Sequence, residues 1–140
     1  MANSLHVEIV SAEEQIWSGD ALLVSASAQM GEVGIAPGHT PFISRIRPGE
    51  VRVKPADDSD EVDIYVSGGI MEVQPHVVTI LADTALRLDE IDEAAAQKAK
   101  EEAEAALAGA KPGEIDYAAV QAQLAEASAQ LQLIKKLRSR

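Results

Sequence analysis

The sequence predicts a chain of the α+β class: an all-β region over residues 1–88, packed as a sandwich or a barrel, followed by an antiparallel two-helix hairpin over residues 89–140. Three observations predict it. Short β-branched runs cut by Gly, Pro and Asp clusters fill the first part. The apolar period then changes from two to about three and a half after Leu88, as the composition shifts to Ala, Glu, Lys and Gln. Finally, a Gly-Ala-Lys-Pro-Gly break at residues 109–113 divides the second part in two.

The strands can be justified in order. In LHVEIV, Leu5, Val7 and Ile9 alternate with His6 and Glu8, which is the pattern of a strand with one buried face. Separate runs follow at QIWSG, ALLVSASA, GEVGIA, PFISRIR, EVRVK, EVDIYV, GIMEV and HVVTILA, joined by connections of hairpin length. Pro48-Gly49, the acidic turn Asp57–Asp60 and Gln74-Pro75-His76 separate the later ones. Within EVDIYV, Val62, Ile64 and Val66 share one side, and Asp63 and Tyr65 share the other, so antiparallel sheet with one wet face is expected. Two such sheets must bury their apolar faces against each other.

The helices follow the same logic. Asp89 is the expected N-cap of the first, with the acids Asp89, Glu90, Asp92 and Glu93 at the positive end of its dipole. Ile91, Ala95, Ala99, Ala103 and Leu107 form its stripe. The second starts near Asp116, and Tyr117, Val120, Leu124, Ala127, Leu131 and Ile134 give it a coiled-coil seam. A short connection makes the pair antiparallel. Burying an Ala methyl stabilises far less than the roughly 1.5 to 3 kcal/mol of a buried Leu or Ile. The helices are therefore each favourable and hold each other weakly, which suits a hairpin that opens.

Composition narrows the chemistry. The chain has 140 residues, no cysteine and a net charge of −11, with 3% aromatic residues. Disulfides, thiol catalysis and Cys-ligated zinc are excluded, and so acidic a chain repels nucleic acid and anionic lipid. Neither a basic n-region nor an apolar h-region opens the sequence, so a soluble protein working where it is made is expected. His6, His39 and His76 are isolated, and no metal-ligand, nucleophile-elbow or phosphate-loop motif occurs. No catalytic group, metal or cofactor is expected.

Two stretches stand out. Residues 31–50, GEVGIAPGHTPFISRIRPGE, hold four Gly and three Pro around two short apolar runs; composition alone reads as a loop between strands, yet Ile35, Ala36, Pro41 and Phe42 beside a rigid Pro-Gly turn would form a small apolar shelf for a partner. The last ten residues, LQLIKKLRSR, carry Lys135, Lys136, Arg138 and Arg140 and no acid. One or two cations complement a helix dipole. Four suit an acidic partner surface, with Leu131, Ile134 and Leu137 as apolar grip.

HVEIVSAEEQIWSG, GEVGIAPGHTPFISRIRPGEVRV and VSGGIMEVQPHVVTILADTALR, followed by the helical segments IDEAAAQKAKEEAEAAL and IDYAAVQAQLAEASAQLQLIKK, resemble the epsilon-subunit family of bacterial F-type ATP synthases over nearly the whole chain. The resemblance implies a sandwich of about ten strands and a regulatory hairpin. It also implies a non-catalytic rotor subunit that links the membrane c-ring to the catalytic head through gamma, held peripherally at the cytoplasmic face of the bacterial inner membrane through the complex only. Carried over by position, Gly31, Glu32, Gly34, Pro37, Gly38 and His39 fall in a loop region at the rotor-contacting edge, with Glu32 for the c-ring and His39 for gamma. The same resemblance makes Lys135, Lys136, Arg138 and Arg140 an inhibitory tip against the alpha/beta head. Some members hold ATP through [IL]-D-x-x-R-A; here Ile91 and Asp92 remain and Ala95 replaces the Arg, so no useful ATP binding is expected. The rival reading is a freestanding sandwich adaptor with a docking hairpin, which would not be recovered with gamma and the ring.

Overall fold

The computed structural model describes residues 3–87, 90–109, 113 and 116–138, the side chains of 137 and 138 excepted. The chain forms two compact units, Met1–Leu88 and Asp89–Arg140. Among the described residues the first holds nine strands: β1 (Leu5–Val10), β2 (Gln15–Ala28), β3 (Gly31–Ile35), β4 (Phe42–Ile46), β5 (Gly49–Pro55), β6 (Val62–Val66), β7 (Gly69–Val73), β8 (Val77–Ala82) and β9 (Ala85–Arg87). One layer runs β1-β8-β7-β4, and the other is built on β2, β5, β6 and β9 with β3 beside β2.

Strand β2 joins the layers. Its residues 15–21 pair with β1, 21–25 with β5 and 24–28 with β3, and Ala28 pairs with Ile46 of β4. QIWSG and ALLVSASA, expected as separate runs, are thus one strand of 14 residues. The apparent break at Gly19 is a packing site. A Cβ there would sit 3.0 Å from Cη2 of Trp17, so glycine lets the indole lie along its own strand. The other departure from hairpin connection is β1 against β8, which are parallel, in register from His6↔Val77 to Val10↔Leu81.

The inward residues of both layers meet in one core of Leu5, Val7, Ile9, Val24, Ile35, Val51, Val53, Ile64, Val66, Met71, Val78 and Ile80, with Trp17, Val33, Phe42 and Val62 packed at its margin. It is aliphatic, as the aromatic-poor composition requires. The expected wet face of β6 is corrected at Tyr65, which is fully buried although Ile64 and Val66 are the residues that join the core. Alternation assigns a side chain to a face; it does not say whether that face is covered.

The second unit is the expected pair of helices, α1 (Glu93–Gly109) and α2 (Tyr117–Arg138). The cap of α1 is Asp92, whose Oδ1 accepts the Ala95 N–H at 3.1 Å; Asp89, expected in that role, lies outside the described residues. Asp116 caps α2 in the same way through the Ala119 N–H at 3.1 Å. Along α1 the buried positions are Ala96 and Ala103, whereas Ala95 and Ala99 are exposed. The α2 seam is half-buried at Val120, Leu124, Leu131 and Ile134 and buried at Ala127; Leu133 is also buried, and Tyr117 is exposed. Lys98–Glu102 at 4.0 Å and Lys100–Glu104 at 3.9 Å are exposed pairs that add little.

Candidate functional site

The six residues expected in one loop are divided by the fold. Gly31, Glu32 and Gly34 belong to strand β3, opposite Ala28, Ser27 and Ser25 of β2. Pro37, Gly38 and His39 belong to the following connection. The reason is the hairpin at Gln29-Met30, which Gly31 closes with a φ of +133° and so allows pairing to start at once. Gly38, at φ +85°, donates its N–H to the Pro75 carbonyl at 2.8 Å and ties this connection to the β7–β8 turn. His39 Nδ1 lies 2.7 Å from the Thr40 carbonyl, and its ring packs on Phe42 with centroids 5.6 Å apart. Glu32 therefore stands beside the β2–β3 hairpin, and His39 stands at the far end of β3.

Glu32 is exposed, and its carboxylate is 3.6 Å from the Arg52 guanidinium. The same guanidinium has Glu50 and Glu61 at 4.0 Å. One cation shared by three acids on β3, β5 and the β5–β6 turn leaves this edge acidic. In that turn the Ser59 hydroxyl and N–H donate to the Asp57 carboxylate and hold its pKa below the usual value.

A second surface is visible only in the fold. On the outer face of the β1-β8-β7-β4 layer, registry aligns Arg45, Ile70, Leu81 and Val10 in one row and Ile43, Glu72, Thr79 and Glu8 in the next. Ile43 is 67% exposed, Ile70 44% and Leu81 53%, and Met30 at the adjoining hairpin is 97% exposed. These are large apolar side chains at positions alternation reserves for water. Each such mismatch is legible within its own strand, whereas their assembly into one surface is made by registry and is not. The expected shelf is only partly formed: Ile35 is buried in the core, Ala36 and Pro41 are exposed, and half-buried Phe42 borders the same surface.

In the helical unit a groove of about 400 Å³ runs between the helices, floored by Ala95, Ala99, Ala103 and Ala106 and rimmed by Glu102 and Glu126. Asp92 is occupied in capping, and Ala95 brings no donor. At the other end of α2, Lys135 and Lys136 are exposed; the side chain of Arg138 and the whole of Arg140 lie outside the described residues. Among the described residues no group of acids and histidines converges as metal ligands, and no helix is long and apolar enough to cross a membrane.

Comparison with known proteins decides the family. The description "ATP synthase, Delta/Epsilon chain, beta-sandwich domain" matches residues 4–88, and "ATP synthase, Delta/Epsilon chain, long alpha-helix domain" matches residues 89–135. The chain belongs to the ATP synthase delta/epsilon family. Relatives named ATP synthase epsilon chain include those of Thioalkalivibrio sulfidiphilus, at 55% identity over 99% of this chain and 97% of that one, and Alkalilimnicola ehrlichii, at 57% over the same shares. The Janthinobacterium relative is 54% identical over 100% of this chain and 99% of its own. Among solved structures, a chain of the Euglena gracilis mitochondrial ATP synthase, resolved with OSCP, F1 and c-ring, has a TM-score of 0.84 at 23% identity, covering 96% of this chain and 83% of that one. A chain of the Tetrahymena thermophila central stalk and c-ring gives 0.58 at 13% identity over 95% of each. These two share the fold. In this delta/epsilon-family member the exposed apolar side chains lie on a sheet face, and the described lysines Lys135 and Lys136 lie near the end of a helix.

Proposed function

We propose that this chain is the non-catalytic rotor subunit of a proton-translocating ATP synthase, its sandwich linking gamma to the c-ring and its hairpin reaching the alpha/beta head. The observation that carries the reading is the exposed apolar face of Ile43, Ile70, Leu81 and Met30. Leaving so much apolar surface wet is unfavourable for a free protein and favourable for one that is always covered. Gamma is assigned to this face and to His39, and the c-ring to the acidic edge at Glu32; Gly31, Gly34, Pro37 and Gly38 shape the connection between them. Lys135, Lys136, Arg138 and Arg140 are assigned to acidic segments of the head, as the brake on hydrolysis. The subunit needs no cofactor and meets the cytoplasmic face of the bacterial inner membrane only through the complex.

Affinity purification of the tagged subunit from its own cells tests this: gamma and the c-ring are recovered with it. Recovery with other proteins and without these two would establish the adaptor reading instead. For the hairpin, Ala95 stands in place of a guanidinium, and the described groove lining offers a phosphate no cation beside Glu102 and Glu126. Titration calorimetry of the full chain with ATP is expected to give no sub-millimolar binding.

A further inference from the structure

The sandwich has five basic side chains against thirteen acidic ones between residues 1 and 88. Most of those five are engaged. Arg52 faces three carboxylates. Arg47 Nε donates to the Ala28 carbonyl at 3.1 Å, and Arg87 donates to the Ile16 carbonyl at 2.8 Å. Among the described residues Arg45 and Lys54 have neither an ion pair nor a side-chain hydrogen bond, and only Arg45 stands on the apolar face. It lies directly across from Ile70, in register with Leu81 beyond, two residues from Ile43 along its own strand. The nearest acid in that lattice, Glu72, accepts from Gln74 Nε2 at 2.9 Å.

We infer that Arg45 is the specificity-determining residue of this face, reading a carboxylate set in the apolar surface of gamma, the partner assigned to it above. A guanidinium with Ile43 and Ile70 beside it loses its water when the face is covered, and a desolvated cation without a counter-charge is strongly unfavourable. The partner must therefore supply an acid at that point; an apolar or basic surface there is rejected. Its backbone is well placed for the task. The Arg45 carbonyl accepts the Gln29 N–H at 2.9 Å, and the Arg47 N–H donates to the Ser27 carbonyl at 2.8 Å, so the strand carrying the side chain is pinned to the β2–β3 hairpin. Lys54 is the internal control, an equally free cation on β5 in the other layer, opposite Leu23. The inference rests on the reading of this face as the rotor contact.

The test uses ATP synthase stripped of this subunit and titrated with purified full-length variants at low and high salt, with thermal unfolding as the check on folding. Arg45→Met, which keeps the aliphatic stem, is expected to weaken binding about 30-fold at low salt, with a smaller loss at high salt. Arg45→Glu should lose roughly a further tenfold, and Arg45→Lys should recover part of the affinity lost in Arg45→Met. Lys54→Glu is expected to stay within about twofold of the unmodified chain, the range of a rim charge. If Arg45→Glu binds as the unmodified chain does while Ile43→Asp fails to bind, the face docks and Arg45 does not read it, which overturns this inference alone. If Ile43→Asp and Ile70→Asp also bind normally, the assignment of the face to the rotor falls with it.

Discussion

Gly69 shows how narrowly one position can be specified. Its φ is +146°, and a Cβ built there would stand 2.1 Å from the Leu81 carbonyl oxygen, which is backbone and cannot swing aside. Gly69→Ala is therefore expected to cost about 3 kcal/mol or more in urea unfolding. Gly34→Ala, where a Cβ would find only Leu23 Cδ1 at 3.8 Å, should stay within about 1 kcal/mol. Two glycines, one on β7 and one on β3, thus separate into one that permits a close approach of strands and one that can be replaced. The sequence marks both with the same letter, and only the packing around them tells them apart.

At the scale of elements, the helices depend on their first turns. Asp92 and Asp116 each accept an N–H that has no partner within the helix, so Asp92→Ala and Asp116→Ala should each destabilise the helical unit by about 1 kcal/mol, with Ser recovering most of it. Thermal unfolding followed by far-ultraviolet circular dichroism and helix-resolved amide exchange would measure this. Asp116 could be read in advance because it follows a Pro-Gly break. For α1 the acids at residues 89–93 crowd the start, so the sequence points to Asp89, and when several candidates lie within one turn only the backbone path selects among them. The same limit governed the strands. β1 was legible because its alternation is strict. β2 reads as two runs because a glycine usually interrupts a strand, and nothing in the linear text says that an indole fills the gap. Of the candidate surface, the Gly-rich segment and the basic tip are contiguous and could be seen. The row of Arg45, Ile70 and Leu81 is assembled from three strands by registry and could not.

For the molecule as a whole, the division into two units gives the proposed roles separate parts, and removal of one is the direct test. A chain ending at residue 88 should still assemble and support ATP synthesis, while ATP hydrolysis by the enzyme rises; unchanged hydrolysis would mean that no brake resides in residues 89–140. The sandwich that remains is suited to mechanical duty. Because β2 is a member of both layers, a sideways force on the outer row of one sheet reaches the opposite sheet through peptide bonds as well as through side chains sliding on an aliphatic filling. Such a body resists shear the way a keel stiffens a hull, and a twist imposed at one face emerges at the other with little slack.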